Sequence, residues 1–132
     1  MLRNEELDDD DRDRGGDRPR VLLVEDVPEI RRFARAGLDR AGFAVDEAAD
    51  GVTAFAFLDE TRRVYVAIVT DIGLPDMSGL DVIARVRDTR PGIPVVVASG
   101  YGGADLPRDC VRVPKPYEPR MLADAVVRAV RP

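Results

Sequence analysis

The chain has 132 residues, 45% of them hydrophobic, enough for one domain with a buried core and too few for a second. It contains no apolar stretch approaching about 18 residues, no apolar leader after Met1, no histidine and a single cysteine, Cys110. These absences exclude a membrane span, a secretory signal, an internal disulfide, histidine-ligated metal and a phosphohistidine formed on this chain; the expected compartment is a reducing cytoplasm. The net charge of −5 is uneven, because residues 1–19 hold eight acids and four bases and leave the remainder at −1. Asp8-Asp9-Asp10-Asp11, followed by Gly15-Gly16 and Pro19, predicts a disordered acidic tail over 1–19 that aids solubility, with the domain proper over 20–132. A nearly neutral body without a dense basic patch argues against nucleic-acid binding.

Strand and helix signals alternate from Arg20 onward. Arg20–Val24 is a short apolar run of the kind buried on both faces of a parallel sheet. Pro28 fits a first helical position, and Ile30, Phe33, Ala34, Gly37, Leu38 and Ala41 follow at helical spacing. Arg31, Arg32, Arg35 and Arg40 fall off that stripe, as a solvated face or as a docking surface for an acidic patch. Gly42 ends this helix, and Phe43–Ala48 predicts the second strand. Asp50 predicts the cap of a helix through Ala54, Phe55 and Leu58 to about Thr61, with Phe57 off the stripe as core or partner contact.

Tyr65–Thr70 predicts the third strand, and a loop then leads to a helix over Gly79–Thr89, with Asp76 and Ser78 as loop and cap residues. Arg90-Pro91-Gly92 stops that helix, and Pro94–Ser99 predicts the fourth strand. The stretch Gly100–Pro107, with three glycines and a proline, is a poor helix, so the fourth helix is expected to be short or degenerate. Val111–Val113 is a short fifth strand; Leu122, Ala125, Val126, Ala129 and Val130 line one face of a final helix. Cys110 is expected to be a half-buried small hydrophobe. Five strands alternating with helices imply one α/β domain with a parallel sheet, right-handed crossovers and helices on both faces.

Three of the apolar runs end in charge: the first in Glu25-Asp26, the third in Asp71, the fifth in Lys115, the only lysine against nineteen arginines. In a parallel sheet these ends share one crevice. Three close carboxylates repel, and a divalent cation removes the conflict; oxygen ligands alone favour magnesium, with manganese or calcium as alternatives. Asp71 is then the natural acceptor of a phosphoryl group, with Lys115 and the Ser99 hydroxyl facing the developing charge.

Val24-Glu25-Asp26, Thr70 to Gly79 (TDIGLPDMSG), Ala98-Ser99-Gly100 and Lys115-Pro116-Tyr117 resemble the receiver domain of bacterial two-component response regulators, over roughly residues 20–131. The resemblance implies a flavodoxin-like, doubly wound sheet of order 2-1-3-4-5. It implies that Asp71 is the phosphoacceptor, that Asp26 is a direct magnesium ligand with Glu25 acting through water, and that Gly73 lends its backbone carbonyl. Ser99 and Lys115 are implied to contact the phosphoryl oxygens, and the Lys115–Pro116 bond to be cis. The partners implied are a sensor histidine kinase or histidine phosphotransfer protein and a downstream protein, with no nucleic acid and no membrane. Two departures stand out: Arg112 occupies a position that is commonly aromatic, with Tyr101 as a candidate replacement, and the interval from Ser99 to Lys115 is short.

With Pro132 as the last residue, the expectation is a stand-alone, CheY-like receiver that signals by protein contact or phosphorelay. Beyond self-catalysed phosphorylation and dephosphorylation it is expected not to be an enzyme. The alternatives are a degenerate interaction module, or a receiver segment derived from a hybrid histidine kinase. A hydrolase with an aspartyl-phosphate intermediate wants an acid two residues after the nucleophile, where Gly73 stands.

Overall fold

The computed structural model describes residues 18–100 and 106–131. The acidic stretch 1–17 and Tyr101 lie outside the described residues, and with them the expectations of a disordered tail and of an aromatic replacement. Nine elements follow in order: β1 (Arg20–Val24), α1 (Pro28–Arg40), β2 (Ala44–Ala48), α2 (Gly51–Asp59), β3 (Ala67–Asp71), α3 (Gly79–Thr89), β4 (Val95–Ser99), β5 (Val111–Pro114) and α4 (Pro119–Val130). The strands form one parallel sheet of order β2-β1-β3-β4-β5, as the sequence led one to expect.

The alternation of the strands decides which helix covers which face. Val21 and Leu23 of β1 point to one side, where Ala34 and Leu38 of α1 meet Leu122, Ala125 and Val126 of α4. Leu22 and Val24 point to the other, against Ala54 and Leu58 of α2 and Val82, Ile83 and Val86 of α3. Gly37 lets α1 approach α4 closely, since a Cβ there would lie 2.6 Å from the Pro119 carbonyl oxygen. Phe33, placed on the apolar stripe by spacing, is instead 61% exposed, because Ala34, Gly37 and Leu38 alone fill the α1–α4 seam. Phe57 takes the core option in part, packing on the second cluster with the Arg63 guanidinium 5.2 Å over its ring.

Local chemistry sets the helix starts. The Asp50 side chain accepts the Thr53 N–H at 2.8 Å, and Ser78 with Asp81 forms a capping box at α3. Gly42, with φ +100, turns the chain from α1 into β2. The third strand begins at Ala67 rather than Tyr65, whose hydroxyl is engaged with Asp46, and it runs one residue further, to Asp71, in register with Ala98. Arg18 and Pro19, assigned to the tail by composition, already engage the body: the Arg18 guanidinium reaches Asp39 and the Gly42 and Phe43 carbonyls, and Pro19 accepts the Ala44 N–H. Between β4 and β5 no helix occurs among the described residues. Leu106 and Cys110 pack partly on the second cluster, so Cys110 is half-buried as expected. No helix among the described residues is long and apolar enough to cross a membrane.

Candidate functional site

The C-terminal ends of β1, β3 and β5 bring together Glu25, Asp26, Asp71 and Lys115. The three carboxylates each place an oxygen within 4.8 Å of the others. The Lys115 ammonium donates to Asp71 Oδ2 at 2.8 Å and to Glu25 Oε1 at 3.0 Å. Backbone bonds hold the elements that carry these groups: Glu25 N–H donates to the Ala48 carbonyl, extending the β1–β2 ladder, and Lys115 N–H donates to the Ser99 carbonyl, extending β4–β5. The peptide bond Lys115–Pro116 is cis, as the resemblance implied.

The carboxylates are not equivalent. Glu25 is 2% exposed, with Oε2 accepting the Val27 N–H at 3.0 Å. Burial pushes its carboxyl above the usual value, against the lowering effects of the Val27 N–H and of Lys115. Asp71, nearly buried at the end of β3, accepts the Gly73 N–H at 3.3 Å as well as Lys115. No hydrogen bond to the Asp26 carboxylate occurs among the described residues, so it faces the cluster with its lone pairs unspent. Burial pulls the Lys115 ammonium down, but its hydrogen bonds to Asp71 and Glu25 outweigh that and hold it above the usual lysine value. It is therefore a fixed cation near neutral pH.

Ser99 ends β4, and its buried Oγ has no hydrogen-bond partner among the described residues. A buried hydroxyl without a partner costs roughly 1–3 kcal/mol, so Ser99 is disposed to donate to any oxygen that reaches it. Gly73 is exposed at the mouth of the loop, and nothing lies within 4 Å of where its Cβ would be. Gly79 is the opposite case: a Cβ would lie 2.0 Å from the Asp71 carbonyl oxygen, so only glycine lets α3 start this close to the acceptor. Beside the ammonium, Ile30, Phe33, Gly100, Lys115, Pro116 and Tyr117 line an apolar cavity of about 370 Å3. The Tyr117 hydroxyl there is pushed up to about 12, first by burial and then by the charge of Glu25.

Two contributors escaped sequence reading. Asp76, expected to be a loop residue, caps a helix that precedes it by 25 positions: its carboxylate accepts the Gly51 and Val52 N–H groups at 2.8 and 2.9 Å. These bonds hold its carboxyl below the usual value and pin the loop after Asp71 to α2. Arg31, expected on a solvated face, donates to the Glu25 carbonyl at 2.7 Å and to Glu47 at 3.2 Å, while Arg35 binds the same Glu47 at 2.7 Å. The only sequence signal for either is the presence of a charged residue; their partners are distant. Arg112 lies exposed on β5 opposite Val97.

Known proteins share this arrangement of sequence and fold. The model of the response regulator receiver domain matches residues 21–126. Over 113 residues the chain is 29% identical to the response regulator receiver protein CpdR of Brucella abortus, covering 81% of this chain and 92% of that protein. It is 34% identical over 112 residues to the sensor kinase CckA of the same organism, of whose length it spans 12%. The crystal structure of the receiver domain from the hybrid histidine kinase CckA superposes with a TM-score of 0.75 at 28% identity, covering 85% of this chain and 99% of that one. With a family match across most of its length and the receiver fold beneath it, the chain belongs to the response regulator receiver domain family.

Proposed function

We propose that the chain is a magnesium-dependent phosphoacceptor that takes a phosphoryl group from a partner's phosphohistidine onto Asp71. The observation that carries this is the Lys115 ammonium bound at 2.8 Å to Asp71 within a cluster of three carboxylates. The residues fit a hard cation: the donors are all oxygen, Asp26 has no competing partner among the described residues, and the cluster holds more negative charge than one ammonium balances. Asp26 and Asp71 would bind the metal directly, Glu25 through water, and Gly73 through its carbonyl. Manganese satisfies the same donor set.

Bound magnesium supplies charge neutralisation, both for the carboxylates and for the phosphoryl oxygens. The rest falls to the chain. A carboxylate oxygen of Asp71 attacks phosphorus, the phosphorus–nitrogen bond of the donor breaks, and the imidazole keeps the electron pair; an acyl phosphate remains on Asp71. Lys115, released from Asp71 as that carboxylate loses its charge, follows the transferred group as a point cation. The Ser99 hydroxyl, orphaned in this state, gains a phosphoryl oxygen to donate to. The apolar cavity beside Lys115 gives the partner bearing the phosphohistidine a place to rest against Phe33 and Tyr117 while its imidazole reaches Asp71. The cavity opens beside Asp71's own counter-ion, which favours the phosphodonor as its occupant.

In this reading the chain turns over no second substrate and acts in the cytoplasm. It signals by protein contact or phosphorelay, in keeping with similarity across 92% of CpdR. Intact mass after incubation with acetyl phosphate tests it: a gain of one phosphoryl group (about 80 Da) is expected with magnesium, and none with EDTA or in Asp71→Ala. Magnesium binding without an adduct would point to a module restricted to its kinase or inactive; absence of both would sink the proposal.

A further inference from the structure

Asp26 is the carboxylate of the cluster without a partner among the described residues, yet both peptides that flank it are fixed. The Asp26–Val27 peptide is held through the Val27 N–H on Glu25 Oε2 at 3.0 Å. The Glu25–Asp26 peptide is held through the Glu25 carbonyl, which accepts from the Arg31 guanidinium at 2.7 Å. The backbone N–H of Arg31 also donates to the Val27 carbonyl at 2.9 Å. One residue in the first turn of α1 thus grips the chain on both sides of Asp26. Its guanidinium is itself aimed by Glu47 of β2 at 3.2 Å, and Glu47 is shared with Arg35 at 2.7 Å.

We infer that Arg31 is a positioning residue for the metal centre: it fixes the Glu25–Asp26 peptide so that the Asp26 carboxylate meets the cation without reorganisation. The inference rests on the magnesium site proposed above. Two effects of Arg31 on a cation oppose each other. Its charge, by itself, repels; its hydrogen bond preorganises. The repulsion is small, because Glu47 offsets part of the guanidinium charge and solvent screens much of the rest. The preorganisation is larger, since freeing one backbone residue, or losing a group that orients a metal ligand, corresponds to about a tenfold change in affinity. A planar fork can reach the Glu25 carbonyl and Glu47 together, which a lysine ammonium on a flexible stem does less well.

The experiment is calorimetric titration of the full chain with magnesium, using wild type, Arg31→Lys, Arg31→Gln and Arg35→Lys, with the unfolding midpoint of each measured in EDTA. Expected are about tenfold weaker binding in both Arg31 variants and unchanged binding in Arg35→Lys, which shares Glu47 but does not touch Glu25. The inference is overturned if Arg31→Lys binds like wild type and Arg31→Gln binds more tightly, the pattern of a pure charge effect. It is overturned equally if Arg35→Lys weakens binding as much as Arg31→Lys. Wild type that fails to take magnesium overturns the metal site itself, and with it this role. Should Arg31→Lys not fold, Arg31→Gln decides alone: weaker magnesium binding supports positioning, and binding as tight as wild type or tighter overturns it.

Discussion

Replacing Lys115 by methionine keeps the length of the side chain and deletes the cation between Glu25 and Asp71. Removing one partner of a buried ion pair costs roughly 3–5 kcal/mol when the remaining charge is dry. Here the remaining charge has an escape, because Glu25 can take up a proton. From its ordinary value of 4.5, holding Glu25 protonated at pH 7 costs about 3.4 kcal/mol at 1.36 kcal/mol per pH unit, which caps the loss. The Lys115 side chain is 19% exposed, so water screens part of its interaction and the expected loss is about 2–3 kcal/mol. For a domain of this size that lowers the melting temperature by about 8–12 °C.

The pH dependence follows from the direction of the Glu25 shift. Burial already raises this carboxyl, and deleting Lys115 removes a group that lowers it, so the folded variant holds its proton to higher pH than the unfolded chain does. A raised carboxyl contributes stability that is intact below the unfolded value of 4.5 and is lost as pH rises through the folded one. The gap between wild type and Lys115→Met should therefore shrink to under about 1 kcal/mol at pH 5 and open fully by pH 7. Urea unfolding in EDTA at pH 5, 6 and 7, followed by far-ultraviolet circular dichroism, measures it. Magnesium should narrow the gap at pH 7, since the variant has lost the cation that competes with the metal. A loss below about 0.5 kcal/mol at pH 7, or one equal at pH 5 and pH 7, would refute the account of Lys115 as the counter-ion of Glu25 and Asp71 in the absence of metal.

Gly79→Ala should cost about 2–4 kcal/mol and slow phosphorylation by acetyl phosphate, because its Cβ would lie 2.0 Å from the Asp71 carbonyl oxygen. Gly73→Ala, with open space around its Cβ, should stay within about 0.5 kcal/mol of wild type in the same urea series. Asp46 accepts from Arg20 at 2.6 Å, Arg63 at 3.1 Å and Tyr65 at 2.7 Å; Asp46→Ala should lose about 2–3 kcal/mol by thermal melting, and Tyr65→Phe only about 1 kcal/mol. The lowered carboxyl of Asp76 contributes stability present above its ordinary 3.8 and lost as pH falls through the folded value. Asp76→Ala should therefore melt below wild type at pH 7 and converge with it in acid, as pH-dependent calorimetry would show.

The frame of the fold and the gathering of charged residues at one sheet edge were legible because both depend on local pattern. Continuous apolar runs announce buried parallel strands, and the residues that end them share one sheet edge by geometry alone; Glu25, Asp26, Asp71, Ser99 and Lys115 follow from that. The parts that stayed hidden are contacts between elements. Nothing near Asp76 in sequence indicates that it caps a helix 25 residues earlier, and nothing near Arg31 points to Glu47 on the neighbouring strand. Phe33 shows the same limit from the apolar side. Helical spacing places it on the inner stripe, but the width of that stripe is set by how closely α4 approaches, which depends on Gly37 against Pro119.

Arginine and lysine divide the chain between them along chemical lines. Where a carboxylate or a run of carbonyls is satisfied within the fold, the cation is arginine: Arg20 and Arg63 each give one bond to Asp46, and Arg31 and Arg35 each give one to Glu47. Arg90 joins the Leu58, Glu60 and Arg63 carbonyls behind α2. A planar fork engaged at several points is hard to move, which suits a structural contact. At the acidic cluster the cation is the single lysine, a point charge on a flexible stem that can leave one oxygen for another. Around Asp46 one carboxylate meets two guanidiniums and a tyrosine hydroxyl. Around Asp71 three carboxylates meet one ammonium, a deficit of positive charge, and Ser99 Oγ has no partner among the described residues. One carboxylate cluster on this sheet is fully satisfied by cations and the other is not, and the unsatisfied one is where the proposed metal and phosphoryl group would act.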